Sequence, residues 1–231
     1  MSIKLKALGL GLLAMVAMSA FAVMNAAAKT DGHFTFGSHN TVITGEEGDH
    51  ELHFRPEGGT DNERIGCDIA HYHGEHKTPV GQDTTTTELT ITPTWSQCYT
   101  TGSPNTKFEV HENNCDLLFT SRKEPEKNDA TVHVKCPTSP GIVITHPNCS
   151  IRVPAQTVGG AAGNGVTYTT QTETNGIHWI TLDVKVPGIT THYEGGICIF
   201  LGTTHTSTME GSVTVKGFDK ATGNQVNITA T

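Results

Sequence analysis

Short runs in which apolar and polar residues alternate recur along most of the chain, separated by Gly, Pro, Asn and Asp. In residues 88–95, for example, Leu89, Ile91 and Trp95 share one face, and Glu88 and three threonines share the other. Alternation with a period of two is typical of antiparallel strands that have one buried and one solvated face. After residue 28 no apolar periodicity of 3.6 residues extends over a long segment. The pattern therefore predicts an all-β fold, an antiparallel β-sandwich that is Ig-like or related.

The first 28 residues have a different pattern. Two lysines precede a continuous apolar run over residues 7–23, and small residues follow it. This order is that of a secretory signal peptide, with cleavage predicted after Ala22 or Ala28. The run is shorter than the roughly 20 residues that a membrane span needs, so no membrane attachment is expected after cleavage. We therefore expect a secreted, extracellular protein, or one held in the cell envelope.

Residues 29–231 are predicted to form one continuous sandwich. Two segments rich in Gly, Ser, Thr and Asn, residues 99–106 and 157–165, are either hairpin loops or a seam between subdomains. The chain carries 15 Lys and Arg against 23 Asp and Glu, a formal net charge of −8. An acidic surface repels phosphate backbones and anionic lipid head groups, which argues against nucleic-acid and membrane-surface partners. The expected partner is a surface or extracellular ligand.

The cysteines predict disulfides, because thiols oxidise outside the cytoplasm. The six residues are Cys67, Cys98, Cys115, Cys136, Cys149 and Cys198. If strands 115–121 and 130–136 form a hairpin with Leu117 opposite Val134, then Cys115 falls opposite Cys136 on the same inward face. The order along the chain would then pair Cys67 with Cys98 and Cys149 with Cys198.

Histidines give the only hint of chemistry. Residues 71–76 contain three of them, and His71 and His73 continue an inward row that begins at Ile65. If strand 50–55 pairs with strand 64–73 so that Phe54 faces Cys67, then His50 faces His71. His50, His71 and His73 would gather there with His76 nearby, as ligands for Zn²⁺ or Cu²⁺. The alternative is that these imidazoles are solvated residues at strand ends.

Motifs for catalysis are missing: the sequence has no nucleophile elbow, phosphate-binding loop or His-Glu-x-x-His segment. Trp95, Tyr99, Trp179 and Tyr193 could form a platform for stacking sugars, although the alternating strands around both tryptophans favour core packing instead. The sequence leaves two functions open. The favoured one is a non-enzymatic exported protein that acts by binding at the cell surface or in the medium. The alternative is a metal-binding protein or metal-dependent enzyme that uses the histidines.

Several segments together resemble a known group of proteins. These are residues 65–67 (IGC), 89–98 (LTITPTWSQC), 132–137 (VHVKCP), 148–156 (NCSIRVPAQ) and 165–169 (GVTYT). In this order after a signal peptide, they are similar to uncharacterised, Thr-rich exported proteins of soil actinobacteria, which occur as many divergent paralogues. The resemblance implies a disulfide-bonded β fold and an extracellular setting. It transfers no catalytic residues.

Overall fold

The computed structural model describes residues 32–47, 53–56, 61–124, 127–159, 165–173, 175–195 and 205–231. Within these ranges the chain is almost entirely β-strand, with one short 3-10 helix at Asp61–Glu63 and no α-helix. The strands are β1 (Phe34–Phe36), β2 (Asn40–Glu47), β3 (His53–Arg55), β4 (Ile65–Lys77), β5 (Thr85–Thr86), β6 (Glu88–Thr100), β7 (Ser103–His111), β8 (Asp116–Glu124), β9 (Lys127–Lys135), β10 (Ile142–His146), β11 (Cys149–Val153), β12 (Gln156–Gly159), β13 (Gly165–Thr172), β14 (His178–Glu194), β15 (His205–Asp219), β16 (Gln225–Val226) and β17 (Ile228–Ala230).

All the strand pairs are antiparallel, and the long strands belong to two closed rings. The first ring runs β6, β8, β9, β13, β14, β15, β2 and β4, and β4 pairs again with β6. The second ring runs β6, β7, β10, β11, β14, β15, β3 and β4. The predicted all-β antiparallel fold of the sandwich class is confirmed. Its four longest strands (β4, β6, β14 and β15) pass through both rings.

Each long strand forms where β-branched and aliphatic residues alternate with polar ones. In β14, Ile180, Leu182 and Val184 point into the core, and Thr181 and Asp183 lie between them on the solvated side. The inward residues of the strands join one hydrophobic cluster. Burial of each such aliphatic side chain stabilises the fold by about 1.5–3 kcal/mol.

A second, three-stranded sheet has the order β17, β1, β5. Phe34 and Phe36 of β1 and Ile228 of β17 are fully buried in the same core cluster as the rings. Backbone hydrogen bonds between His33 and Thr231 extend the pairing of β1 with β17 by one residue. The small sheet therefore completes the core.

The two walls formed by β4 and β6 change the face that they present to the core, and they do so together. Cys67 and Ala70 are both buried, although they are three residues apart, and so are Cys98 and the ring of Trp95 in part. Between them Gln97 adopts a left-handed backbone with φ of 57°. Each strand has one extra residue at this point, and the two lie opposite each other. The pairing register of β4 and β6 is therefore the same on both sides, while the inward and outward positions along each strand are exchanged.

Strand β14 changes face by a different route. Its pairing with β15 shifts between Val186 and Ile189, and Gly188 has a positive φ of 78°. An ordinary residue adopts that conformation at a cost, which glycine avoids because it has no Cβ. One extra residue on β14 alone makes this a β-bulge, so that Val186 and Ile189 both point inward.

Two disulfides join described residues. Cys115 is bonded to Cys136, and the register between β8 and β9 places Leu117 opposite Val134, as predicted. Cys67 is bonded to Cys98 across β4 and β6, which confirms the second pair. The pairing of Cys149 with Cys198 stays a prediction, because Cys198 lies outside the described residues. The disulfides indicate an oxidising, extracellular compartment.

Both segments proposed as seams contain strand residues. Residues 101–102 form the turn between β6 and β7, which pair as a hairpin. Residues 157–159 belong to β12, which pairs with β9. In the described part of the chain no helix has the length and apolar character that crossing a membrane would require.

Candidate functional site

The pairing expected for the histidine strands is wrong. Phe54 faces Ile65 and not Cys67, so the register of β3 on β4 differs by two residues from the prediction. The histidine end of β4 pairs with β2 instead, where His71 faces Glu46 and His73 faces Thr44. His50 lies outside the described residues.

The expected direction of the two imidazoles is also wrong. His71 and His73 are exposed, whereas Tyr72 between them is buried at 2% exposure. The prediction continued the inward row of Ile65 and Cys67 without interruption. The reset of alternation after Cys67 turns the row outward, and this is the physical reason for the error.

His76 is separated from the other two histidines by the thickness of the sheet. Its ring stacks on the ring of Phe36, with centroids 4.2 Å apart, and Thr78 Oγ1 lies 2.8 Å from Nε2. Burial lowers the pKa of His76 below its ordinary value. No group of three or more His, Cys, Asp or Glu side chains that could hold a metal ion is found among the described residues. Of the three predicted ligands that the structure describes, His71 and His73 share a face and His76 lies on the other.

The four aromatic residues considered for sugar stacking lie in different places. Trp95 packs against the core and donates its Nε1–H to the Tyr72 hydroxyl at 3.3 Å, in agreement with the prediction for this residue. Tyr193 is buried, and Tyr99 lies under Lys107, whose Nζ is 5.1 Å from the ring centroid. Trp179, expected in the core, is instead half-buried on the outer side of β14. Trp179 lies on the same side of β14 as the polar residue Thr181, because the inward positions of this strand begin at Ile180.

The outer side of the first ring carries two rows of side chains that follow the strand register. The first row is Thr94, His71, Glu46, Thr214, Thr181 and Thr169. The second row is Thr92, His73, Thr44, Lys216, Trp179 and Gln171, in which Lys216 Nζ lies 5.8 Å from the centroid of the Trp179 ring. We call these residues together the outer face. Each row is about 24 Å long, because neighbouring strands lie about 4.8 Å apart.

The outer face is polar and balanced in charge. Threonine is the commonest residue in both rows, and the single acid, Glu46, is matched by the single lysine, Lys216. All its side chains are exposed or half-buried. The face thus offers hydroxyl, imidazole and amide groups, which donate and accept hydrogen bonds, beside one aromatic ring.

A cavity of about 80 Å³ lies inside the sandwich. Its lining is aliphatic and aromatic, with Tyr72, Trp95 and His53 as the residues that carry polar atoms. Burial raises the pKa of the Tyr72 hydroxyl far above its ordinary value, so this group stays uncharged at physiological pH. The sequence did not signal this cavity, because it depends on where strands change face.

No protein family, no curated protein and no solved structure matches this chain.

Proposed function

We propose that the protein is exported and acts, without catalysing a reaction, by binding a neutral carbohydrate on its outer face, at the cell surface or in the medium. The observation that carries the proposal is the outer face itself. There the strand register aligns hydroxyl groups, two imidazoles and the ring of Trp179 in two parallel rows.

The chemistry of the rows favours a ligand that is uncharged and rich in hydroxyl groups. Glu46 and Lys216 leave the face without net charge while the imidazoles are neutral, so neither an anion nor a cation gains from it as a whole. Threonine hydroxyls both donate and accept hydrogen bonds, as sugar hydroxyls do. A row of about 24 Å is long enough for several sugar units.

Trp179 supplies the apolar contact that a sugar ring needs. Its indole is half-buried near one end of the second row, between Lys216 and Gln171. Indole rings combine a large apolar surface with little conformational freedom, and they are enriched where one side of a contact is wet. A neutral sugar would pack on the indole and bond to the flanking side chains.

Replacing Trp179 by alanine should weaken binding to neutral polysaccharides about ten-fold, the effect of losing an aromatic contact worth roughly 1.4 kcal/mol. The assay is affinity electrophoresis in gels that contain soluble glucans, chitin derivatives or xylans. Tyr99→Ala is the matched control, because Tyr99 also lies beside a lysine amine but is outside the outer face. It should leave the mobility shift unchanged.

Circular dichroism would first establish that both variants are folded. Wild-type protein that is retarded by none of the polysaccharides contradicts the proposal. So does a Tyr99→Ala variant that loses as much affinity as Trp179→Ala.

A second candidate function is metal binding at His71 and His73, favoured by their common exposed face with Glu46 directly opposite His71. It predicts stoichiometric Zn²⁺ or Cu²⁺ after dialysis of protein made without an affinity tag. The metal should be lost in His71→Ala/His73→Ala and kept in His111→Ala/His178→Ala, which removes two histidines from other strands. Protein that holds no stoichiometric metal in elemental analysis contradicts this function.

A further inference from the structure

The cavity inside the sandwich lies where the long strands change face. Its lining includes Val186 and Ile189, the inward residues on either side of the bulge in β14. It also includes Cys67 and Tyr72, which stand before and after the reset in β4. At these points two successive residues, Asp68 and Ile69 in β4 and Pro187 and Gly188 in β14, place no side chain in the buried core. One level of the interior is therefore left without side chains to fill it, and the cavity follows from the fold.

A water molecule in this cavity would find few hydrogen-bond partners. A buried water molecule usually makes about three hydrogen bonds to protein groups. Trp95 Nε1 and the Tyr72 hydroxyl already bond to each other at 3.3 Å, and apart from His53 the remaining lining residues are apolar or sulfur-bearing. An apolar cavity of sufficient size stays dry, and apolar molecules such as xenon or benzene can enter one of about 150 Å³.

We infer that this cavity is a binding site for a small apolar molecule, a compact hydrocarbon or a compound of similar size and polarity. The volume of about 80 Å³, smaller than that of the benzene-binding cavity, favours a compact ligand. The free energy of binding comes from dispersion contacts that the empty lining lacks and from removal of the ligand from water. The site is separate from the outer face, so either can exist without the other.

Xenon is the probe, because it is apolar and nearly spherical. Titration of the full-length protein with dissolved xenon, followed by methyl ¹H–¹³C spectra, should give saturable shifts at Val184, Val186 and Ile189. The methyl groups of Val215 should shift far less, because Val215 is buried in the same core but does not line the cavity. A wild-type protein without saturable shifts overturns the inference.

Two double variants, each adding two methylenes to the core, distinguish binding in this cavity from uptake of xenon anywhere in the core. Val184→Ile/Val213→Ile adds them inside the cavity, whereas Val166→Ile/Val215→Ile adds them at buried positions outside it. The first should keep or raise the thermal midpoint and weaken xenon binding about ten-fold, because it fills the space. The second should lower the midpoint through overpacking and leave xenon affinity within about two-fold.

Equal xenon affinity in the two double variants would overturn the inference, and so would a midpoint that falls as far in the first as in the second. If Val166→Ile/Val215→Ile does not fold, the single variant Val215→Ile takes its place against Val213→Ile. These two positions lie on the same strand, two residues apart, at 0% and 2% exposure.

Discussion

Replacing Phe34 by alanine is expected to lower the free energy of unfolding by about 3–5 kcal/mol, the usual cost of truncating a fully buried aromatic ring. Phe34 has 0% exposure, and its ring centroid lies 5.4 Å from that of Tyr168 in β13. It belongs to β1, which is held between β17 and β5. Losing the ring leaves a void where the small sheet meets the core.

Thr35→Ala provides the control on the same strand. Thr35 points the other way, is only half-buried and has Oγ1 3.3 Å from that of Thr85. Its replacement should cost no more than about 1 kcal/mol, the net value of one hydrogen bond. Urea unfolding at neutral pH measures both. A loss for Phe34→Ala no larger than that for Thr35→Ala would mean that the small sheet contributes little to the core.

Removing either described disulfide is expected to cost about 3–4 kcal/mol, because an open chain gains conformational entropy when unfolded. The variants are Cys67→Ala/Cys98→Ala and Cys115→Ala/Cys136→Ala. The bonds span 31 and 21 residues along the chain. Their losses should differ by only about 0.3 kcal/mol, since the entropy of loop closure grows with the logarithm of loop length.

Guanidinium unfolding of the two variants, beside wild-type protein without reductant, tests this expectation. Dithiothreitol should lower the free energy of unfolding of the wild-type protein by at least as much as either pair of substitutions does. A loss below about 1 kcal/mol in either variant contradicts the entropic argument. A variant that is stabilised would show that its disulfide strains the native strands.

The pair Cys115–Cys136 could be predicted because nothing interrupts the alternation of the two strands that carry it. A single assumed register placed Leu117 opposite Val134 and both cysteines inward, and β8 and β9 adopt that register. Regular alternation fixes face and partner together. Where a strand keeps its alternation without interruption, its sequence is sufficient to predict which residues point inward and which residues they face.

The predicted inward direction of His71 and His73 was wrong because the alternation of their strand is interrupted. Inward residues change phase between Cys67 and Ala70, and the strand opposite compensates through Gln97 at positive φ. A left-handed glutamine has no signature in the sequence, in contrast to a glycine. The outward direction of Trp179 could have been inferred, since Ile180, Leu182 and Val184 define the buried phase of that strand.

The two closed rings have a consequence for the behaviour of the protein at high concentration. Strands at the border of an open sheet present unpaired N–H and C=O groups, which another chain can extend into an aggregate. In a ring every strand has two neighbours, so a second copy finds no such border there. The described chain does have border strands, β5 and β17 in the small sheet and β12 and β16 beside the rings, but each is only two to four residues long. Such short borders hold an added strand poorly, so this fold resists growth of its sheets by a second copy.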